Sequence, residues 1–197
     1  MKQRRDVRSY NGQDSKTAGM GTISIQYFDS PCGRLILGGC EGKLCLCDWA
    51  ESSKRERTDA RIQRCLKAGY RIQPSDVTTQ AAKELEEYFN GARTSFDIPL
   101  LPLGTDFRKE VWKSLCTIPY GTVISYSEEA RLIGRPSSVR AVANANGSNP
   151  LSIFIPCHRV IGSDGTLTGY AGGTEAKRYL INLENPHASI FLSTPIP

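Results

Sequence analysis

Of the two histidines in this chain, His158 and His187, the first directly follows a cysteine. A cysteine reacts as its thiolate, and an imidazole is the side chain best suited to take its proton near neutral pH. Cys157 and His158 close the segment Asn149-Pro150-Leu151-Ser152-Ile153-Phe154-Ile155-Pro156-Cys157-His158-Arg159-Val160, whose apolar run from Leu151 to Ile155 reads as buried. Neighbouring residues on an extended chain point to opposite sides, so the thiol and the imidazole need a bridging water or a local turn to meet. Alone, a Cys-His pair is a weak signal, more often incidental than catalytic.

A carboxylate in an unfavourable place adds to it. TEAKRYLINLEN reads as a helix with Thr174 as its cap, stopping before Pro186. Glu184 then falls in the last turn, where the helix dipole disfavours negative charge, and borders the apolar face of Leu180 and Leu183. A local rule broken this way marks a functional site, although an exposed glutamate at a frayed end is the commoner meaning.

The elements that must position these groups fall into two halves. From Thr22, TISIQY, RLILG and KLCLCDW read as strands separated by SPCG and GCEG turns, with the pairs Leu44/Leu46 and Cys45/Cys47 on opposite faces. Glu51 to Arg64 is charged and gives no periodic signal. TTQAAKELEEYFNG places Ala81, Leu85, Tyr88 and Phe89 on one helical face, ending at Gly91. DIPLLPLGT, from Asp97 to Thr105, reads as a linker. Beyond it, Phe107, Val111 and Leu115 mark a helix, Ser125 and Glu128 form a capping box, and Ser137 can cap a further helix running to about Asn146.

The two short helices joined across Gly134 form a helix-turn-helix candidate, a unit that either binds nucleic acid or simply packs. In the second helix Val139 and Val142 can face inward, leaving Arg140, Ala141, Asn144 and Ala145 on another face. Small residues beside one long cation suit a narrow groove or a wedge between bases better than major-groove reading; alternatively, the alanines pack on another helix.

Composition bounds the reading. Of 197 residues, 39% are hydrophobic and 23% charged, with a net charge of +5 that suits an acidic partner without requiring one. No segment approaches the roughly 20 apolar residues needed to cross a bilayer, so no membrane partner is expected. Residues 1–20 are polar and read as a disordered tail. Seven cysteines, an odd number, argue for reduced thiols. Cys40, Cys45 and Cys47 are close enough to raise a zinc site, but zinc-type CxxC pairs are missing and buried thiols fit better.

IPCHRV, preceded by NP and followed by GYAGG, closely resembles the active-site signature of the O6-alkylguanine-DNA alkyltransferases, also called methylated-DNA–protein-cysteine methyltransferases. The resemblance is strongest from Phe107 to Glu184 and takes in YGTVISY and RAVANA; SPCGRL extends it weakly into the first half. It implies an α+β N-terminal domain (21–98) and a mainly helical, winged-helix-like C-terminal domain (103–197) with a helix-turn-helix. It implies irreversible, single-use transfer of an alkyl group from guanine O6, with activity on thymine O4 left open.

By position, Cys157 matches the alkyl acceptor, His158 the residue that takes its proton through a water, and Glu184 the carboxylate orienting that histidine. Asn149 matches the asparagine bracing the turn, and Tyr126 the tyrosine beside the flipped base. Arg140 matches the arginine filling the gap in the duplex, with Ser137, Ala141 and Asn144 beside it on the DNA face. Main-chain groups at Cys157, Val160 and Ala171, with Tyr170, line the base pocket; Ala171 stands where some relatives carry serine. The metal ligands of some relatives are half represented, by Cys40 and Cys45, so no metal and no cofactor is expected. The expected partner is double-stranded alkylated DNA, bound by a monomer through the minor groove, in bacterial cytoplasm or a eukaryotic nucleus. A cysteine hydrolase, a binding-only relative and a transcription regulator are the rival readings; keeping Cys157 counts against the second.

Overall fold

The computed structural model describes residues 21–187. The expected tail, 1–20, lies outside the described residues. The three expected strands form as β1 (Gly21–Ser30), β2 (Gly33–Cys40) and β3 (Lys43–Trp49), an antiparallel meander. The charged stretch that gave no periodicity is helix α1 (Arg55–Leu66), followed by β4 (Ala68–Ile72), which pairs parallel to β1 and completes a sheet in the order β3-β2-β1-β4. α1 buries only Thr58 and Ile62, a stripe too thin to read among its charges. Helix α2 (Asp76–Phe89) forms on the expected face, with Ala81, Leu85 and Tyr88 buried.

The two helices cover opposite faces of the sheet. Ile23, Ile25, Ile36, Cys45 and Leu46 cluster with Ile62 of α1, whereas Leu35, Leu37, Leu44 and Cys47 cluster with Val77, Ala81 and Leu85 of α2. The expected pairing of Leu44 with Leu46 and of Cys45 with Cys47 is therefore wrong. The register jumps between Gly38 and Gly39, opposite Leu46 and Leu44, so Cys45 is an extra residue and the alternation shifts across it. Cys45 and Cys47 of this strand are buried, as expected, and form no disulfide.

β3 would be an open edge, and two later segments close it. Leu44 N–H donates to Pro99 O and Leu101 N–H to Leu44 O, both at 2.8 Å, so the expected linker is strapped along the strand. Further along, Cys47 N–H donates to Pro150 O at 2.8 Å and Ser152 N–H to Cys47 O at 2.7 Å.

The second half is built from α3 (Asp106–Leu115), β5 (Ile124–Ser125), α4 (Tyr126–Leu132), α5 (Val139–Asn146), a 3-10 turn (Cys157–Arg159), β6 (Val160–Ile161) and α6 (Gly173–Glu184). Ser125 and Glu128 form the expected capping box on α4. Three expectations are corrected. Ser138, not Ser137, begins α5, with no side-chain cap, and Ser137 is exposed. α6 starts from Gly172 rather than Thr174, because Gly173 takes φ 83° and joins the loop to the helix. Ala145 is buried with Val111, Ala130 and Val142, and its carbonyl accepts from Trp112 Nε1 at 2.9 Å. Among the described residues no helix is long and apolar enough to cross a membrane.

A carboxyl group lies inside this helical cluster. Glu129 of α4 is fully buried, accepting from Asn146 Nδ2 of α5 at 2.6 Å and from Ser114 Oγ of α3 at 3.3 Å. Burial pushes its pKa up to about 7, against the pull of those two donors. Because the folded pKa lies above the unfolded one, this group favours folding below about pH 4.5 and loses that contribution as pH rises through about 7. Glu129→Gln should therefore raise Tm at pH 8 and leave it nearly unchanged at pH 5, measured by thermal melts at both pH values.

Candidate active site

The loop before Cys157 is shaped by one side chain. Asn149 Oδ1 accepts from Leu151 N–H at 3.0 Å, while Nδ2 donates to Ile155 O at 2.8 Å and to Cys157 Sγ at 3.2 Å. The apolar run is buried as expected, but it folds back on itself: Ile155 N–H donates to Leu151 O at 2.8 Å. Ile153 sits at φ 73°, a left-handed conformation that costs a β-branched residue on the order of 1–3 kcal/mol. Asn149 and the bonds to β3 together hold it there.

The chain then enters the 3-10 turn rather than continuing extended, so the opposite-sides argument for Cys157 and His158 does not apply. No direct hydrogen bond joins their side chains. Cys157 is 6% exposed and His158 fully buried. Burial pushes the Cys157 thiol up to about 11, while the Asn149 amide and the Lys177 ammonium pull the other way.

Glu184 is the most heavily bonded side chain of the site. Its Oε1 accepts from His158 Nε2 at 2.7 Å, Tyr88 OH at 2.8 Å and Arg159 Nη2 at 3.0 Å. Its Oε2 accepts from Arg159 Nε at 2.8 Å and Gly121 N–H at 3.1 Å. Burial alone would raise this carboxyl, but the donors and charges of His158 and Arg159 hold it well below the usual range. With Glu184 ionised, Nε2 carries the imidazole proton and Nδ1 is the bare acceptor; Nδ1 is buried without a protein partner. Burial holds His158 below its usual pKa, outweighing the opposing pull of Glu184, and so keeps it neutral.

Tyr126, Tyr170 and Ala171 pack against the core cluster that contains Cys157. Tyr126 OH donates to Thr168 O at 3.2 Å, and burial pushes its phenol up to about 12. Tyr170 meets Trp49 of β3 edge-on, ring centres 5.8 Å apart, and a Cβ on Gly172 would lie 2.4 Å from that indole, so only glycine lets this loop close. Val160 N–H donates to Cys157 O, and Val160 O accepts from Lys177 Nζ at 2.6 Å.

Arg140, Ala141 and Asn144 line the exposed face of α5, with Ser137 just before it. They form a second cluster, separate from the thiol. Four side chains went unassigned in the sequence. Arg159 lay inside the recognised motif without a role. Lys177, 1% exposed, shares the buried face of α6 with Leu180 and Ile181, and that spacing was readable. Tyr88 and Trp49 come from the other half of the chain, which no local pattern could reveal.

The two halves match the family models of the 6-O-methylguanine DNA methyltransferase ribonuclease-like domain (residues 23–102) and DNA binding domain (residues 106–186). A methylated-DNA–protein-cysteine methyltransferase of Methanosarcina barkeri is 47% identical over 161 residues, spanning 80% of this chain and 96% of that protein. The crystal structure of a Mycobacterium tuberculosis O6-methylguanine methyltransferase is 41% identical with a TM-score of 0.71, covering 83% of this chain and 93% of that one. A Mycobacterium tuberculosis OGT in complex with DNA is 39% identical with a TM-score of 0.70, covering 88% of this chain and 99% of that one. The chain belongs to the 6-O-methylguanine DNA methyltransferase family.

Tyr88 tests the cross-link at Glu184. Tyr88→Phe removes one hydrogen bond to a buried charge and should cost about 1.5–3 kcal/mol of stability, read from urea unfolding. His158 and Arg159 keep their bonds, so a loss within error of zero would contradict this account.

Proposed function

We propose that this protein repairs alkylated DNA by direct reversal, moving an alkyl group from O6 of guanine to Cys157 and keeping it there. The observation that carries the reading is the bare, buried Nδ1 of His158 next in the chain to a buried thiol, with Glu184 fixing the tautomer, in a chain of this family.

The steps are assigned to residues of this site. His158 Nδ1 takes the Cys157 proton through a water, and Glu184 stabilises the imidazolium that results. Sγ attacks the alkyl carbon; a C–S bond forms as the C–O6 bond breaks, and the electron pair leaves on guanine. Tyr126 keeps its proton at neutral pH and would neutralise the leaving base. The product is a thioether with no electrophilic carbonyl for water to attack, so each molecule acts once. Asn149 positions the acceptor, and Tyr170, Ala171 and the Val160 main chain line the pocket.

Because Cys157 is buried, an alkylated guanine must leave the stack to reach it. Arg140 would fill the vacated position, with Ser137, Ala141 and Asn144 against the backbone of a double-stranded minor groove. The reading takes the protein to act as a monomer. The family matches meet between residues 102 and 106, which supports a division into 21–98 and a part beginning at 103.

A duplex containing O6-methylguanine, mixed with reduced protein and followed by peptide mass analysis, should give stoichiometric methylation of Cys157 and restored guanine. An intact lesion with unmodified Cys157 would sink the proposal. Arg140→Ala should slow repair of the duplex at least tenfold more than reaction with the free alkylated base. Transfer should hold constant from pH 8 to 6.5 and fall only below that, because the depressed His158 pKa keeps the base neutral. Single-turnover rates across that range check it.

A further inference from the structure

One face of α1 carries charge that the rest of the chain leaves unused. Lys54, Arg57, Arg61 and Arg64 follow at spacings of three, four and three, which gathers them on one side of the helix. The adjoining face is the buried strip of Thr58 and Ile62. Beyond that strip Arg55 pairs with Asp59 and Asp48, and the exposed Glu56 falls on the side of α1 away from the stripe. Lys54, Arg57 and Arg64 are exposed, and among the described residues no carboxylate pairs with any of the four. Burial depresses the Arg61 guanidinium, and the charges of Arg108 and Arg57 press in the same direction. Like charges gathered this way favour a polyanion.

The stripe meets the helix-turn-helix at one place. Lys54 Nζ donates to Gly147 O at 3.3 Å and Arg61 Nη2 to Ser148 O at 2.8 Å. These carbonyls follow the end of α5, whose own last turn has no basic residue, so two cations from α1 meet the negative end of its dipole. Ser148 also continues the exposed face of α5, its hydroxyl donating to Asn144 O at 2.8 Å. The face bearing Arg140, Ala141 and Asn144 thus runs directly into α1.

We propose that this basic stripe is a second DNA-contacting surface, in which Arg57 and Arg64 bind backbone phosphates of the duplex beyond the end of α5. Lys54 and Arg61 hold the stripe in line with that helix. The assignment rests on the reading that α5 faces duplex DNA. Arg57 and Arg64 lie about 10 Å apart along the helix, enough to reach different phosphates of one strand. Such contacts carry no sequence information; they fix register on the duplex and make affinity salt-dependent.

The test is the salt dependence of duplex binding. Arg57→Gln/Arg64→Gln should make the slope of log K against log salt shallower by about 2, and weaken binding at least about tenfold at 0.1 M salt. Reaction with free O6-alkylguanine should be unchanged. Arg57→Lys/Arg64→Lys should keep the wild-type slope. The control is Lys43→Gln/Lys83→Gln, at the start of β3 and on α2, the helix on the opposite sheet face. A slope unchanged in the glutamine pair overturns the proposal. So does an equal fall in the control, or failure of the lysine pair to restore the slope. Methylation of Cys157 by wild-type protein, measured alongside, separates this result from failure of the repair reading itself.

Discussion

The buried carboxylate of Glu184 is the constraint on which the site depends. It ends α6, binds the imidazole and guanidinium of the 3-10 turn, and reaches Tyr88 in α2 and the Gly121 amide before β5. An ionised group in such a place is tolerable only because donors surround it; remove them and the desolvation cost of one buried charge is several kcal/mol. The same bonds that make its burial tolerable fix the imidazole tautomer. Stability and chemistry are here one network, and a change that loosens either half of the chain reaches His158.

A second constraint comes from β3. Its free edge bonds first to Leu100 and its neighbours and then to the loop between Asn149 and Cys157. The strand is thus a ruler for the thiol. Asn149 ties the loop internally, β3 ties it to the sheet, and the left-handed Ile153 is the local cost of turning the chain back before Pro156. Trp49, at the end of the strand, receives the glycine loop that opens α6. Positioning of Cys157 therefore begins in the first fifty residues.

What the sequence disclosed follows the range of the forces involved. The capping box at Ser125, the α2 face and the anomaly of Glu184 rest on neighbours within a few positions, and these were legible. α1 was missed because two buried residues among charges give no periodicity, and β4 because it makes sense only beside β1. The alternation in KLCLCDW misled because a bulge depends on the partner strand. At the site, the Cys157–His158–Glu184 set was legible through the signature. The Tyr88 and Arg159 bonds to Glu184 required the two halves to be folded together.

The closing of β3 also bears on how the chain comes to be folded during synthesis. The strand ends at Trp49, while the residue that completes its edge is Ser152, about one hundred positions later. At roughly 5–20 residues per second, a ribosome needs about 5–20 s to make that intervening length. Until the strap at Pro99 to Leu101 and then Ser152 arrive, the nascent sheet presents unpaired amides and carbonyls along a strand rich in leucine and cysteine, the kind of edge that recruits other chains. The segment that carries Cys157 is thus also the one whose arrival ends this vulnerable period.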